Sequence, residues 1–186
     1  NLTAMGVKDV RAFGVLGPDP FGNEMEKVMR ENGINPDNLI IQQENWSTHV
    51  YTKPYVEDIE QNRIDFGNFN QLAEDTADKL LKKLKNAIPD VDLVIINQQV
   101  LSGIHTPYFR DQLAGVIQEF PEKIFIADSR HYSDAYEGAY RKMNDNEAAI
   151  LCGFKKDSDD VVLHSEVKEA ARLLYDRFGK PLFITR

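Results

Sequence analysis

One cysteine, Cys152, stands alone among 186 residues, so the chain closes no internal disulfide. That usage fits a reducing compartment, and a cytoplasmic location is the expectation. Long apolar runs are also missing. Leu93 to Ile96 and Ile124 to Ala127 are among the longest, far below the roughly 20 residues a membrane-spanning helix needs, so no membrane partner is expected. Basic residues are in the minority: 22 Lys and Arg against 30 Asp and Glu give a net charge of −8, which argues against nucleic acid or anionic lipid as the main surface partner. Neither G-x-x-x-x-G-K-[ST] nor G-x-G-x-x-G occurs, which removes the P-loop and the main dinucleotide fingerprint. His49, His105, His131 and His164 are scattered without metal-ligand spacing, and H-E-x-x-H, C-x-x-C and G-x-S-x-G are all absent, so zinc sites and the hydrolase elbow have no candidates.

What the chain does have is a globular composition, 42% hydrophobic and 28% charged, which excludes disorder. At about 150 residues per domain its length predicts one domain. Arg11 to Leu16 reads as a strand, followed by a Gly17–Gly22 loop, a helix from Asn23 to Asn32 stopped by Gly33, and a strand over Leu39 to Gln43. Leu93 to Ile96, Lys123 to Ala127, Ala139 to Met143 and the terminal Pro181–Arg186 run read as further strands. Helical spacing marks Ala73–Ile88, Tyr108–Phe120, Glu147–Leu151 and Val167–Phe178. Strands alternating with helices, and apolar on both faces, predict a largely parallel sheet covered by helices. Residues 48–66 break the alternation. Thr48, Val50 and Thr52, then Tyr55, with Ile64 and Phe66 beyond a polar turn at Glu57–Asn62, predict a two-stranded antiparallel flap. Both ends read as interiors of something longer: Asn1–Gly6 resembles the last turn of a helix, and Arg186 directly follows a buried strand.

In an open parallel sheet, ligands bind at the carboxyl ends of the strands. Those positions hold Gly17 and Asp19, Asn97 to Gln99, Asp128 to Arg130, Asn144 to Glu147, and Thr185 with Arg186. The set is poor in nucleophiles and rich in amides and carboxylates, which suits phosphate and metal handling. Asn144-Asp145-Asn146-Glu147 follows a strand and opens a helix, where backbone N–H groups favour anions. By local pattern alone it is a helix cap, with Glu147 as the first-turn acid.

The run Lys142–Ala149 resembles the N-x-x-E element of the ribokinase-like carbohydrate kinases, the phosphofructokinase-B family. Gly17-Pro18-Asp19-Pro20-Phe21-Gly22 resembles that family's G-x-D-x-x-G loop, and Gly33-Ile34-Asn35 its following turn. Ser47–Thr52 and Asn62–Phe66 resemble the lid, closest to the heptose-kinase branch. Asp90–Ile96 and Ile126–Arg130 match two core strands, and Phe183-Ile184-Thr185 the strand whose threonine contacts nucleotide phosphates.

The resemblance implies a three-layer α/β/α sandwich spanning residues 1–186 as one kinase domain incomplete at both ends, with a β lid at 44–68. It implies an ATP-dependent sugar kinase using Mg2+, with Asn144, Glu147, Asp128 and Thr185 at the cofactor and Glu147 at the metal. Asn97, Gln98, Thr52 and Arg63 would meet the sugar, and a homodimer would form through the lid. The D-T-x-G-A-G-D element carrying the base and anion hole would lie after Arg186, so no catalytic residue is assigned within the chain, and residues 1–186 alone are expected to be inactive. A nucleoside kinase of the same fold, and a non-catalytic sugar- or nucleotide-binding domain, are the alternatives. The heptose branch places an acidic residue after the strand ending at Ile96, where this chain has Asn97-Gln98-Gln99.

Simpler roles exist for several of these residues. Asp19 between two prolines suits a rigid turn, and Asp128 a turn cap. Arg63 and Asp65 share a strand face and suit an exposed ion pair. Trp46 and Tyr51 suit a dimer contact, Cys152 a buried inert thiol, and lysines 79 to 85 a solvated helix face.

Overall fold

The computed structural model describes residues 1–154 and 160–186. They form two compact units, Asn1–Ala87 with Leu101–Phe109, and Ile88–Val100 with Arg110–Arg186.

The first unit opens on a single 3-10 turn, Thr3–Met5, closed by left-handed Gly6 at φ +92°. Strand β1 (Val10–Leu16) leads through residues 17–19 into α1 (Pro20–Glu31). The helix starts three residues before the expected Asn23. Asp19 caps it by accepting from Gly22 N at 2.9 Å, and Pro20 occupies the first helical position, where its missing N–H would have had no partner anyway. Gly33 turns the chain at φ +72°, and β2 (Ile34–Ile41) pairs parallel with β1. Sequence patterning starts this strand only at Leu39. The register explains the difference: Arg11 pairs with Asn35 and Phe13 with Asn38, so two residues, Pro36 and Asp37, oppose Ala12 alone. The proline sits in a bulge, where its lack of an N–H breaks no ladder bond.

The flap is more elaborate than a simple two-stranded ribbon. Strand β3 (Val50–Thr52) pairs antiparallel with β6 (Ile64–Phe66), and a smaller hairpin of β4 (Tyr55–Val56) and β5 (Ile59–Glu60) fills the segment between them. Glu57 and Asp58 both take positive φ, +48° and +64°, the primed geometry that suits the twist of a two-residue hairpin. Helix α2 (Glu74–Ala87) buries Ala77, Leu80, Leu81 and Leu84, as its spacing predicts. Lys79 and Lys82 lie in solvent, while Lys83 Nζ donates to Asp37 O at 2.7 Å. Trp46 is buried, with Nε1 donating to Val15 O. It therefore belongs to this unit's core and not to the expected exposed dimer contact.

The second unit carries a four-stranded parallel sheet in the order β10-β9-β8-β7: β7 (Leu93–Gln98), β8 (Ile124–Ser129), β9 (Tyr140–Asn144) and β10 (Leu182–Thr185). Helix α3 (Pro107–Glu119) follows β7, α4 (Asp145–Leu151) follows β9, and α5 (His164–Phe178) ends at left-handed Gly179. Met143, Ala148, Ala170 and Leu174 form a buried cluster with Leu182, Ile184 and Cys152 packed against it. Burial at its edge raises the pKa of the Cys152 thiol, consistent with an unreactive thiol.

Period-2 alternation sorts this sheet into two faces. Ile96, Gln98, Phe125, Ala127, Ser129, Arg141 and Met143 are buried on one. Leu93, Ile95, Asn97, Ile124, Asp128, Lys142 and Phe183 share the other, matched by register, and Leu93, Ile95, Ile124 and Phe183 there are partly exposed.

Candidate functional site

At the carboxyl edge of the second unit's sheet, the ladder sets Asn97 beside Asp128 and Asp128 beside Lys142. These residues form a polar row. Lys142 Nζ lies 3.1 Å from Asp128 Oδ2, and Gln99 Nε2 donates to Asn97 Oδ1 at 3.0 Å and to Asp128 Oδ1 at 3.5 Å. Two residues further along, Thr185 pairs with Asn144, and Arg186 Nε lies 3.6 Å from Asp145 Oδ2. Four of the predicted residues, Asn97, Asp128, Asn144 and Thr185, thus lie on one sheet face. Gln99, also among the strand-end positions, joins them, as does Lys142, which local pattern does not single out. Counting in twos from Asn144 would have placed Lys142 on that face.

Asn144 is the N-cap of α4. Its Oδ1 accepts from Glu147 N at 2.7 Å, and Glu147 Oε2 accepts from Asn144 N at 2.8 Å, the reciprocal pair of a capping box. The simple reading of this motif is therefore realised. The box engages one oxygen of each side chain and leaves Asn144 Nδ2 and Glu147 Oε1 outside it. Among the described residues no three His, Cys, Asp or Glu gather as a cation cage. Magnesium takes one or two protein carboxylates and fills its remaining positions with water and phosphate, so a lone Glu147 fits that ion.

Gln98 is the correction. Placed as a sugar contact beyond a strand ending at Ile96, it lies inside β7 and is buried. Its Oε1 accepts from Ser129 Oγ and His131 N, each at 2.9 Å, and its Nε2 donates to Val100 O at 2.9 Å. The side chain ties β7 to the start of the loop after β8 and is not presented to a ligand. Arg141, on the same buried face, holds the far end of that loop. Nε donates to Ser133 O at 2.7 Å, and the other two nitrogens donate to Ala139 O and Tyr136 O, each at 3.0 Å. The guanidinium stacks 3.5 Å from the Phe178 ring centroid. Burial, with repulsion from Arg177 second, pulls its pKa down to about 10, so it stays charged at neutral pH. An arginine between Ala139 and Met143 on an inward face was the available signal for it.

In the first unit the G-x-D-x-x-G loop is locked. Asp19 Oδ2 accepts from Thr48 N at 2.8 Å, and Thr48 Oγ1, buried, accepts from Gly17 N at 3.0 Å. A Cβ on Gly17 would lie 3.0 Å from Thr48 N, and one on Gly22 2.7 Å from Gly17 O, so both glycines serve close approach. Partial burial pushes the Asp19 carboxyl up, but hydrogen bonds from Thr48 and Gly22 outweigh it and hold the pKa below the ordinary value. Asp19 acts as the turn and cap residue of the simpler reading.

The flap register separates the remaining pair. Thr52 pairs with Ile64, Val50 with Phe66 and Tyr51 with Asp65, and directly opposed residues share a face. The Val50, Thr52, Ile64 and Phe66 face meets α1, where the Phe66 and Phe21 ring centroids are 5.2 Å apart. Arg63 lies on the opposite face. It holds Asp65 through two bonds of 2.6 and 2.8 Å and sits 4.5 Å from the Tyr51 ring centroid. One ligand cannot rest on both faces, so Thr52 and Arg63 do not form a joint contact, and the exposed ion pair is what the structure shows for Arg63.

Comparison with known proteins agrees with this architecture. Similar curated proteins include two bifunctional HldE proteins. The one from Sulfurimonas denitrificans is 25% identical over 150 residues, covering 81% of this chain and 31% of the relative. The one from Hydrogenovibrio crunogenus is 23% identical over 190 residues, covering 100% and 36%. The chain therefore spans about a third of the length of these relatives. Among solved structures, the ribokinase from Giardia lamblia superposes with a TM-score of 0.64 at 18% identity, over 94% of this chain and 51% of that one. An uncharacterized sugar kinase from Pyrococcus horikoshii in complex with ATP gives 0.57 at 12% identity, over 82% and 53%. These likenesses show the ribokinase-like fold. Residues 1–186 match the pfkB family carbohydrate kinase profile throughout, and with the N-x-x-E capping box at the carboxyl edge of a parallel sheet, the chain belongs to that family.

Proposed function

We propose that the chain is part of an ATP- and Mg2+-dependent kinase that transfers the γ-phosphoryl group to a sugar hydroxyl. The observation that carries this reading is the convergence of Asn144, Thr185 and Asp128 at one carboxyl sheet edge in a chain matched throughout by the family profile. The likeness to a sugar kinase in complex with ATP supports nucleotide binding. Magnesium, when bound, would neutralise charge on the phosphates. This chain's own residues bind and orient: Glu147 through its free oxygen at the ion, Asn144 Nδ2 and Thr185 Oγ1 toward phosphate oxygens, Asp128 with Lys142 beside them. Asn97 and, on the flap, Thr52 are assigned to the sugar. Residues 44–68 act as a lid that shields the sugar from water, and its exposed Tyr55, Val56 and Ile59 are assigned to a homodimer. No residue within 1–186 is assigned as the base, and chemistry of this class is positioning plus electrostatics.

The test is phosphoryl transfer by the complete protein from ATP to a panel of sugars and nucleosides, with Glu147→Gln and Thr185→Val alongside the parent. The reading predicts turnover on a sugar, magnesium dependence, and a loss on the order of 10²-fold for Glu147→Gln. Turnover on nucleosides alone, or none with any acceptor, overturns it.

A further inference from the structure

The two legs of the flap, residues 47–49 and 67–70, close on one imidazole. His49 sits partly buried immediately before β3, with its ring edge-on to Trp46 at a centroid distance of 6.1 Å. Gly67 lies against the ring at φ +84°, and a Cβ there would come within 3.0 Å of both Cγ and Cδ2 of His49. Asn70 clips the legs together: Oδ1 accepts from Ser47 N at 2.8 Å, and Nδ2 donates to Ser47 O at 2.8 Å and reaches His49 Nδ1 at 3.4 Å. Ser102 Oγ donates to Gly67 O at 3.1 Å from the side.

This arrangement accepts only the neutral ring. Nδ1 faces an amide donor, so it must be the unprotonated nitrogen, and the proton resides on Nε2. Nε2 is itself buried with no protein partner. A proton added at Nδ1 would set two donors against each other and place a cation in a pocket that offers it no acceptor. The surroundings give little relief. Trp46, Ser47, Gly67 and Asn70 carry no charge. Beyond the base, Lys53 pairs with Glu60 and Arg63 with Asp65. Asp19, which reaches the leg at Thr48 N, has both oxygens engaged by backbone N–H groups. His105, on the Ser102 segment, packs edge-on against Phe109.

We propose that His49 is a pH-sensitive latch of the flap, which holds the two legs together at their base when neutral and releases them when it takes up a proton. The inference rests on the hairpin geometry and stands apart from the kinase reading. Burial holds the His49 pKa below its ordinary value of about 6.5, in the direction the geometry requires. The closed base therefore binds fewer protons than the open one. Its stability is intact above about pH 6.5 and is lost as pH falls toward the closed-state pKa, with the open population rising up to about tenfold per pH unit.

The test follows the His49 Cε1–H resonance, hydrogen exchange at amides 50–66 and emission of the single tryptophan, Trp46, in the full chain between pH 7.5 and 5. The latch predicts faster flap exchange and a Trp46 change that begin below about pH 6.5. His49→Asn keeps an acceptor near the Nδ1 position and should fold with a flat profile. Asn70→Asp should reverse the sign: its carboxylate would accept from Nδ1–H, raise the His49 midpoint and slow flap exchange as pH falls. That variant loses one bond to Ser47, so the slope with pH, not the absolute exchange rate, is the readout. An unchanged pH profile in His49→Asn, an unchanged slope in Asn70→Asp, or a His49 midpoint at or above the ordinary value would each overturn the proposal.

Discussion

The flap of the first unit and the sheet edge of the second both carry polar residues on β structure, yet they are built in opposite ways. The flap uses strands of two or three residues and ion pairs out in solvent, Arg63 with Asp65 and Lys53 with Glu60. On its apolar face Phe66 reaches Phe21, while Ile64 stays exposed. The sheet edge stands on strands of four to six residues. Beneath it, Gln98, Ser129 and Arg141 satisfy the loop after β8 from the buried side. Exposed pairs contribute little because water competes for both partners, whereas a buried network leaves unmatched groups when any member is removed. The contrast separates an element held largely by exposed contacts from one held by a buried network.

The sharpest way to break the contrast is at Arg141. Arg141→Ala leaves three backbone carbonyls without their donor, and a loss of about 3 kcal/mol or more in chemical denaturation is expected. A loss near zero would mean that the loop finds other partners and the sheet edge is no more firmly held than the flap. Asn144→Ala comes next, removing one half of the capping box for about 1 kcal/mol. Asn144→Asp retains the cap and should keep that stability while lowering nucleotide affinity, which isothermal titration would read.

A pH effect at Asp19 is smaller. Its carboxyl is held below its ordinary value, so its contribution is present above about pH 4 and is lost as pH falls through the folded-state value. Asp19→Asn should flatten that part of the acid-unfolding curve. Least of all, Arg63→Ala should leave the melting temperature unchanged within error, because the pair it breaks is exposed. A clear drop there would mean the flap is held by its surface charges after all.

Much of the architecture was legible because it is written in local period. The spacing of Ala77, Leu80 and Leu84 gave α2, the apolar runs gave β7 and β8, and Gly33 and Gly179 marked helix ends with positive φ. Asn144 with Glu147 three residues on is a capping signature on inspection, and the box formed. The departures come mostly from contacts far apart in sequence. The strand expected from Leu39 begins at Ile34, because β1 supplies a partner against which Pro36 bulges. Gln98 looked like an edge residue until the Ser129 hydroxyl and His131 N–H claimed its oxygen. Arg63, expected at the sugar, is held by Asp65 and the Tyr51 ring.

By itself, then, the sequence determined which segments become strands and helices, where the chain turns, and which family's order of motifs it follows, since these depend on contacts a few residues apart. Tertiary structure alone decided which polar side chains stay free and which are used up. A glutamine or an arginine has the same donors wherever it stands in sequence. Whether a buried carbonyl or a ligand receives them depends on groups about thirty residues away for Gln98, which meets Ser129, and on the Phe178 ring under Arg141.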